Sequence, residues 1–189
     1  ADTRGGGVGS QGSPYTLVNT RRIGGKPVLP VLATGQSIRA KDQIRPNELI
    51  GAAKVTGQNG QLRYGVLAAF EDDPMFRLTD STDEVIGQGS QYGAARFLLE
   101  DAPGGAYKAV GILSTMVLND AGDALVQGID AHYLSADGKL KTDAQIFTSD
   151  KDGIDRGFGG FIDFEYAIRQ GVNQRLGIEF FDDRVDVND

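Results

Sequence analysis

Apolar residues recur at every second position along much of this chain, in segments of about ten residues separated by turn chemistry. Leu62, Tyr64, Val66, Ala68 and Phe70 fall on one side of an extended segment, and Arg63, Gly65, Leu67, Ala69 and Glu71 on the other. The same reading separates Gly93, Ala95, Phe97 and Leu99 from Tyr92, Ala94, Arg96 and Glu100. It separates Ile129, Ala131 and Tyr133 from Asp130 and His132, and Leu140, Thr142, Ala144 and Ile146 from Lys141, Asp143 and Gln145. Near the C-terminus, Ile162, Phe164, Tyr166 and Ile168 oppose Asp163, Glu165 and Arg169, then Leu176, Ile178 and Phe180 oppose Arg175, Gly177 and Glu179. Tyr107 to Leu118 is mostly apolar on both sides and is expected to be packed on two faces. With Leu49 to Gly57 included, the pattern predicts an all-β, antiparallel up-and-down meander of eight strands, or nine with a weaker one near Tyr15. No window of helical length shows a capped 3.6-residue period.

The links between these segments alternate in kind. Gln58 to Gly60, Ala102 to Gly105, Ala136 to Gly138 and Gln170 to Val172 read as tight turns. Glu71 to Ser90, Asn119 to Asp123 and Asp150 to Arg156 read as longer or more acidic links. In a meander every second link lies at the same end, so the tight turns are expected at one end and the acidic links at the other. Short turns on one side and longer loops on the other is the asymmetry of an outer-membrane barrel. The parts before Leu49 are less patterned. Residues 1–13, with glycines at 5, 6, 7, 9 and 12, read as a flexible glycine-rich lead-in, and residues 14–189 as the β-barrel segment. Within it, Pro14 to Gly24 is a possible first strand, followed by a long loop to Pro46.

Composition narrows the chemistry. The 189 residues carry 19 Lys and Arg against 26 Asp and Glu, a net charge of −7, which disfavours nucleic acid as a partner. Cysteine is absent and histidine occurs once, excluding disulfides, thiolate metal sites and any site needing two imidazoles. The 27 glycines, one residue in seven, concentrate in turns such as Asn59-Gly60, Gly104-Gly105 and Asp137-Gly138 and inside strands. No apolar run approaches the ~20 residues of a membrane helix. The chain opens Ala1-Asp2-Thr3, with neither an initiator Met nor a leader pattern, as expected for a processed protein or a piece of a larger one.

Alternation by itself leaves two readings of the polar face, whose charged members are Arg63, Arg96, Glu100, Asp130, His132, Lys141, Asp143, Asp163, Glu165, Arg169, Arg175 and Glu179. They line an aqueous lumen if the apolar face meets lipid. They form a solvated outer surface if the apolar face is a core.

The segments Asn19-Thr20-Arg21-Arg22-Ile23-Gly24, Ile50-Gly51-Ala52-Ala53-Lys54-Val55-Thr56-Gly57 and Tyr64-Gly65-Val66-Leu67 resemble, in order and spacing, a family of large bacterial outer-membrane β-barrel proteins. Members typically carry an N-terminal domain similar to family-9 carbohydrate-binding modules. The stretch from Phe180-Phe181-Asp182-Asp183 to Val187-Asn188-Asp189 looks like the approach to a further barrel strand. The resemblance implies an internal slice of a longer barrel in the bacterial outer membrane, acting as a channel, transport or surface-exposed component. Its implied partners are the lipid bilayer and carbohydrate or lipopolysaccharide. The competing expectation is a soluble β-barrel binding a small apolar ligand.

Three motifs bear on specific chemistry. Gly7-Val8-Gly9-Ser10-Gln11-Gly12 matches a dinucleotide fingerprint in letters but lacks the strand before and helix after it, so no cofactor is expected. Asp150, Asp152 and Asp155 resemble half of a calcium loop around Gly153, a weak metal candidate because Phe161 stands where the closing Glu belongs. His132, with Asp130 two residues away and Ser114 or Ser149 on other strands, is the one general-base candidate for a barrel hydrolase, but no nucleophile motif accompanies it and catalysis is not expected.

Overall fold

Short links between alternating segments leave each strand little choice but to pair with its sequence neighbour. The computed structural model, which describes residues 22–79, 81–120 and 122–185, has that arrangement. Among the described residues it contains a four-residue α-helix, α1 (Ala40–Gln43), a 3-10 turn (Pro103–Gly105), and strands β1 (Leu49–Asn59), β2 (Leu62–Glu71), β3 (Met75–Arg77), β4 (Glu84–Ile86), β5 (Gln91–Asp101), β6 (Tyr107–Leu118), β7 (Ala124–Leu134), β8 (Leu140–Lys151), β9 (Ile154–Arg169) and β10 (Val172–Phe181). Eight of these form one antiparallel sheet in the order β1-β2-β5-β6-β7-β8-β9-β10, the all-β meander that the alternation predicts. β1 and β10 are its two edges, and among the described residues they are not paired with each other.

Register keeps the faces unmixed. Ile112, Ile129 and Ile146 stand opposite one another across β6, β7 and β8, as do Leu113, Gly128 and Phe147 on the other face. A one-residue slip would exchange the two rows, so the hydrophobic pattern itself pins the pairing. The tight turns fall at one end of the sheet. At the first of them Gly60 has φ 58°, the left-handed conformation that a two-residue hairpin turn requires.

Four expectations need correction or lie outside the description. The link from Glu71 to Ser90 is not a plain loop. It holds the β3–β4 hairpin, whose three-residue strands are too short to show alternation. The link between β8 and β9 is not long: the strands run on to Lys151 and Ile154, leaving Asp152 and Gly153, with Gly153 at φ 80°. β6 is not packed on two sides. Ala109, Gly111 and Leu113 are buried whereas Val110 and Ile112 are 57% and 53% exposed, because one face of β6 meets a small core and the other meets nothing. The glycine-rich lead-in, its fingerprint-like motif and most of the possible strand near Tyr15 lie outside the described residues.

Two small cores order the structure. At the long-link end, Ile38, Phe76 and Leu78 are buried together with Leu32 and Val85 against them, so the segment before Pro46 packs onto the β3–β4 hairpin. The buried Glu71 at the end of β2 ties this cap to the sheet, accepting hydrogen bonds from the Gly24 N–H (2.7 Å) and the Asn47 side-chain amide (3.0 Å). In the sheet, Leu113, Val126 and Phe147 pack with Phe181 and Val185. The chain after β10 folds back to make this contact, and Gly157 is required there: a Cβ would lie 2.6 Å from the Arg184 backbone.

The burial of the two faces runs opposite to that of a soluble sheet with a hydrophobic core. Val66, Phe97, Val110, Ile112, Ile129, Ile146, Phe164 and Ile178 share one face and are 37–59% exposed. Asp130, Asp143, Gln145 and Ser149 share the other and are at most 7% exposed. Buried ionisable side chains are rare unless paired, and large exposed apolar surfaces mark contact with something other than water.

Candidate functional site: a charged chain on the buried face

Every charged residue assigned to the polar face by alternation lies on the same side of the sheet, and nine of the twelve join three hydrogen-bonded clusters. The central cluster crosses four strands. Arg96 on β5 reaches over β6 to Asp130 on β7 with two parallel bonds, Nη1 to Oδ1 and Nη2 to Oδ2, each 2.7 Å. Gly111 on β6 opens that path. It faces Asp130 across the ladder, and a Cβ there would stand 2.8 Å from the Asp130 carboxylate. Such bidentate pairs are among the stronger hydrogen-bonded contacts, and the Asp130 side chain is fully shielded from solvent.

His132 continues the chain. Its Nε2 stands 2.8 Å from Asp130 Oδ2 and its Nδ1 2.7 Å from Asp143 Oδ1 on β8. An ionised carboxylate only accepts, so both contacts are hydrogen bonds when the ring carries both protons. Lys141 closes the row with Nζ 2.9 Å from Asp143 Oδ2. Three cationic groups and two carboxylates thus alternate from β5 to β8.

A second cluster gathers around Glu100, which accepts from Arg63 (2.9 Å), Gln58 (3.2 Å) and the Tyr107 hydroxyl (3.0 Å). A third joins Glu165 to Asn173 (3.1 Å) and Arg175 (3.2 Å). Asp163 faces Asp143 across the β8–β9 ladder, and Gly177 leaves room for its carboxylate, since a Cβ there would be 2.7 Å from Asp163 Oδ1. Glu179 lies on the same face of β10, and Arg169 at the exposed end of β9. Sequence reasoning placed the buried Gln145 on this face but missed Gln58, Tyr107, Asn173 and the buried Ser149 as members of it. Parity was the available signal for Gln58, Asn173 and Ser149, each an even number of residues from a charged neighbour on its own strand, but not for Tyr107, whose one charged strand neighbour is the adjacent Lys108.

The other candidates are not gathered. Asp150 pairs with Arg156 at 2.6 Å, and Asp152 accepts the Asp123 N–H at 3.2 Å. Among the described residues no group of three His, Cys, Asp or Glu forms a metal site. Ser114 stands on the face opposite His132. Ser149 is six residues along β8 from Asp143, roughly 20 Å at strand rise. Both imidazole nitrogens already meet carboxylates.

Comparison of the chain with protein-family models, curated proteins and solved structures returns no match.

Proposed function

We propose that this chain is a segment of the wall of a bacterial outer-membrane β-barrel, with its apolar face against lipid and its charged face toward an aqueous interior, serving a channel or transport role. The observation that carries the reading is the inversion of the two faces: paired charges are buried on one side while large apolar side chains are exposed on the other. A soluble barrel that binds an apolar ligand needs an apolar interior, and the buried face here holds Asp130, His132 and Asp143 instead. Dimensions agree. On β9 the outward positions Phe158, Gly160, Ile162, Phe164, Tyr166 and Ile168 span ten residue steps. At a rise of ~3.3 Å this is ~33 Å along the strand, or about 25 Å of height at a ~40° tilt, the thickness of a barrel's apolar band. Among the described residues no helix is long and apolar enough to cross a membrane, so strands alone would do so. A carbohydrate or lipopolysaccharide connection is the extension that the family resemblance implies.

The test uses the absence of cysteine. Single substitutions Ile146→Cys, Phe164→Cys and Ile178→Cys each create the sole thiol of the protein. In bilayers they should react with membrane-confined labels, while Asp163→Cys and Glu165→Cys react with water-soluble ones. The reverse pattern would overturn the proposal, as would a chain that stays monomeric and folded in plain buffer without detergent.

A further inference from the structure

The exposed face is not uniformly apolar. Ile112, Ile129 and Ile146 are neighbours across β6, β7 and β8 and form the floor of a groove of about 630 Å³, with Phe97 on one side and Phe158 and Phe180 on the other. The next position in the isoleucine row is Gly160, where a Cβ would press on the Gln145 carbonyl (2.7 Å) and the Phe180 ring (3.1 Å), so the groove stays open toward that ring. One rung nearer the long-link end, Ser114, Gln127 and Thr148 are themselves neighbours across the same strands and line the same groove. Beyond them Met116 on β6 and Leu125 on β7 are again exposed and apolar, whereas the β8 member of that rung is Asp150. On β6 and β7 the polar row therefore interrupts an apolar surface, and on β8 it borders the Asp150–Arg156 pair.

Hydroxyl and amide groups facing hydrocarbon are costly unless something hydrogen-bonds them. Three adjacent uncharged polar side chains at the head of an apolar groove match an amphiphile with a polar linkage above its chains. The charge is informative too. The row carries none, and the nearest ionic side chains, Asp150 and Arg156, neutralise each other at 2.6 Å. A polyanionic glycolipid finds no cation to meet it there. We propose that this groove binds one zwitterionic diacyl phospholipid, with its acyl chains along Ile112, Ile129 and Ile146 and its ester linkages against Ser114, Gln127 and Thr148. The proposal rests on the outer-membrane reading above.

The full chain in detergent micelles, given about one equivalent of a phosphatidylcholine with a photoactivatable group midway along an acyl chain, provides the test. Cross-links should concentrate on the β6, β7 and β8 segments that carry the three isoleucines. Gln127→Leu should lower the yield about fivefold, the size of one net hydrogen bond. Ile146→Trp, which fills the groove, should abolish it, and Ile178→Trp on the same face outside the groove should leave it unchanged. Circular dichroism confirms that each variant is folded. Equal labelling of the Ile168 and Ile178 segments, unchanged yield in Gln127→Leu, or competition by lipopolysaccharide but not by phosphatidylcholine would each overturn the site while leaving the membrane reading intact. Absence of cross-links anywhere on the exposed face would remove both.

Discussion

Asp130→Asn removes one negative charge from the most shielded position of the charged chain while keeping the side chain's shape. The carboxylate receives both Arg96 bonds at 2.7 Å and the His132 Nε2 contact at 2.8 Å. An asparagine offers one acceptor oxygen, and its amide N–H groups would face donors, so at least one of these partners is left unmatched. Breaking a buried pair in this way costs 3–5 kcal/mol, and about 3 kcal/mol is expected because Arg96 keeps a quarter of its side chain exposed. The exposed pair Arg45–Glu48, with side chains 67% and 73% accessible, supplies the control: Arg45→Ala should change stability by less than about 0.5 kcal/mol. Guanidinium unfolding in detergent micelles, followed by the β-sheet circular dichroism band because the chain has no tryptophan, measures both. The combined variant Arg96→Met, Asp130→Leu should cost less than the sum of its single changes, since it removes both charges and His132 keeps Asp143. A cost below about 1 kcal/mol for Asp130→Asn, or strict additivity in the pair, would refute a coupled buried chain.

Three further outcomes are expected. Gly111→Ala places a Cβ 2.8 Å from the Asp130 carboxylate and should cost about 1–3 kcal/mol in the same titration, whereas Gly51→Ala, with nothing within 4 Å, should be close to neutral. Phe147→Ala empties the core shared with Leu113, Val126 and Phe181 and should cost about 3–5 kcal/mol, lowering the denaturation midpoint without changing the fold. In the turn between β7 and β8, the Ser135 hydroxyl and then the Lys139 N–H hold the Asp137 carboxyl below its ordinary value. A depressed carboxylate contributes stability that is present above its unfolded-state value and lost as pH falls through the folded one. A carboxyl-detected NMR titration should therefore find Asp137 ionised to lower pH than a free aspartate, and Ser135→Ala should move it back up.

How much was legible from the chain varies by element. β2 and β5 were readable almost in full because their alternation runs over nine or more residues and their turns carry glycine, whereas β8 was readable only from Leu140 to Ile146, its last residues through Lys151 being taken for an acidic link. The β3–β4 hairpin was not, since Met75 to Arg77 contains a single buried position, Phe76, whose partners Ile38 and Leu78 come from outside the hairpin strands. β6 misled because its buried side, with Ala109, Gly111, Leu113 and Val117, is itself mostly apolar although it belongs to the face that holds the charges; Leu113 packs there with Val126 and Phe147. The charged residues were all placed on one face by parity, yet no spacing rule pairs Arg96 with Asp130. They lie 34 residues apart on strands that are not neighbours, and their contact depends on the gap that Gly111 leaves in the strand between.

Period-two alternation determined the eight strands of the main sheet, their order and the membership of two chemically opposite faces. All of these follow from local backbone geometry and short links. Which face is buried was decided only in three dimensions. Alternation defines the sides relative to each other, whereas burial depends on segments far apart in the chain: the return of 182–185 across β8 and β9, and charges that neutralise one another across four strands. Those long-range contacts let a row of ionised side chains sit inside while isoleucine and phenylalanine face outward.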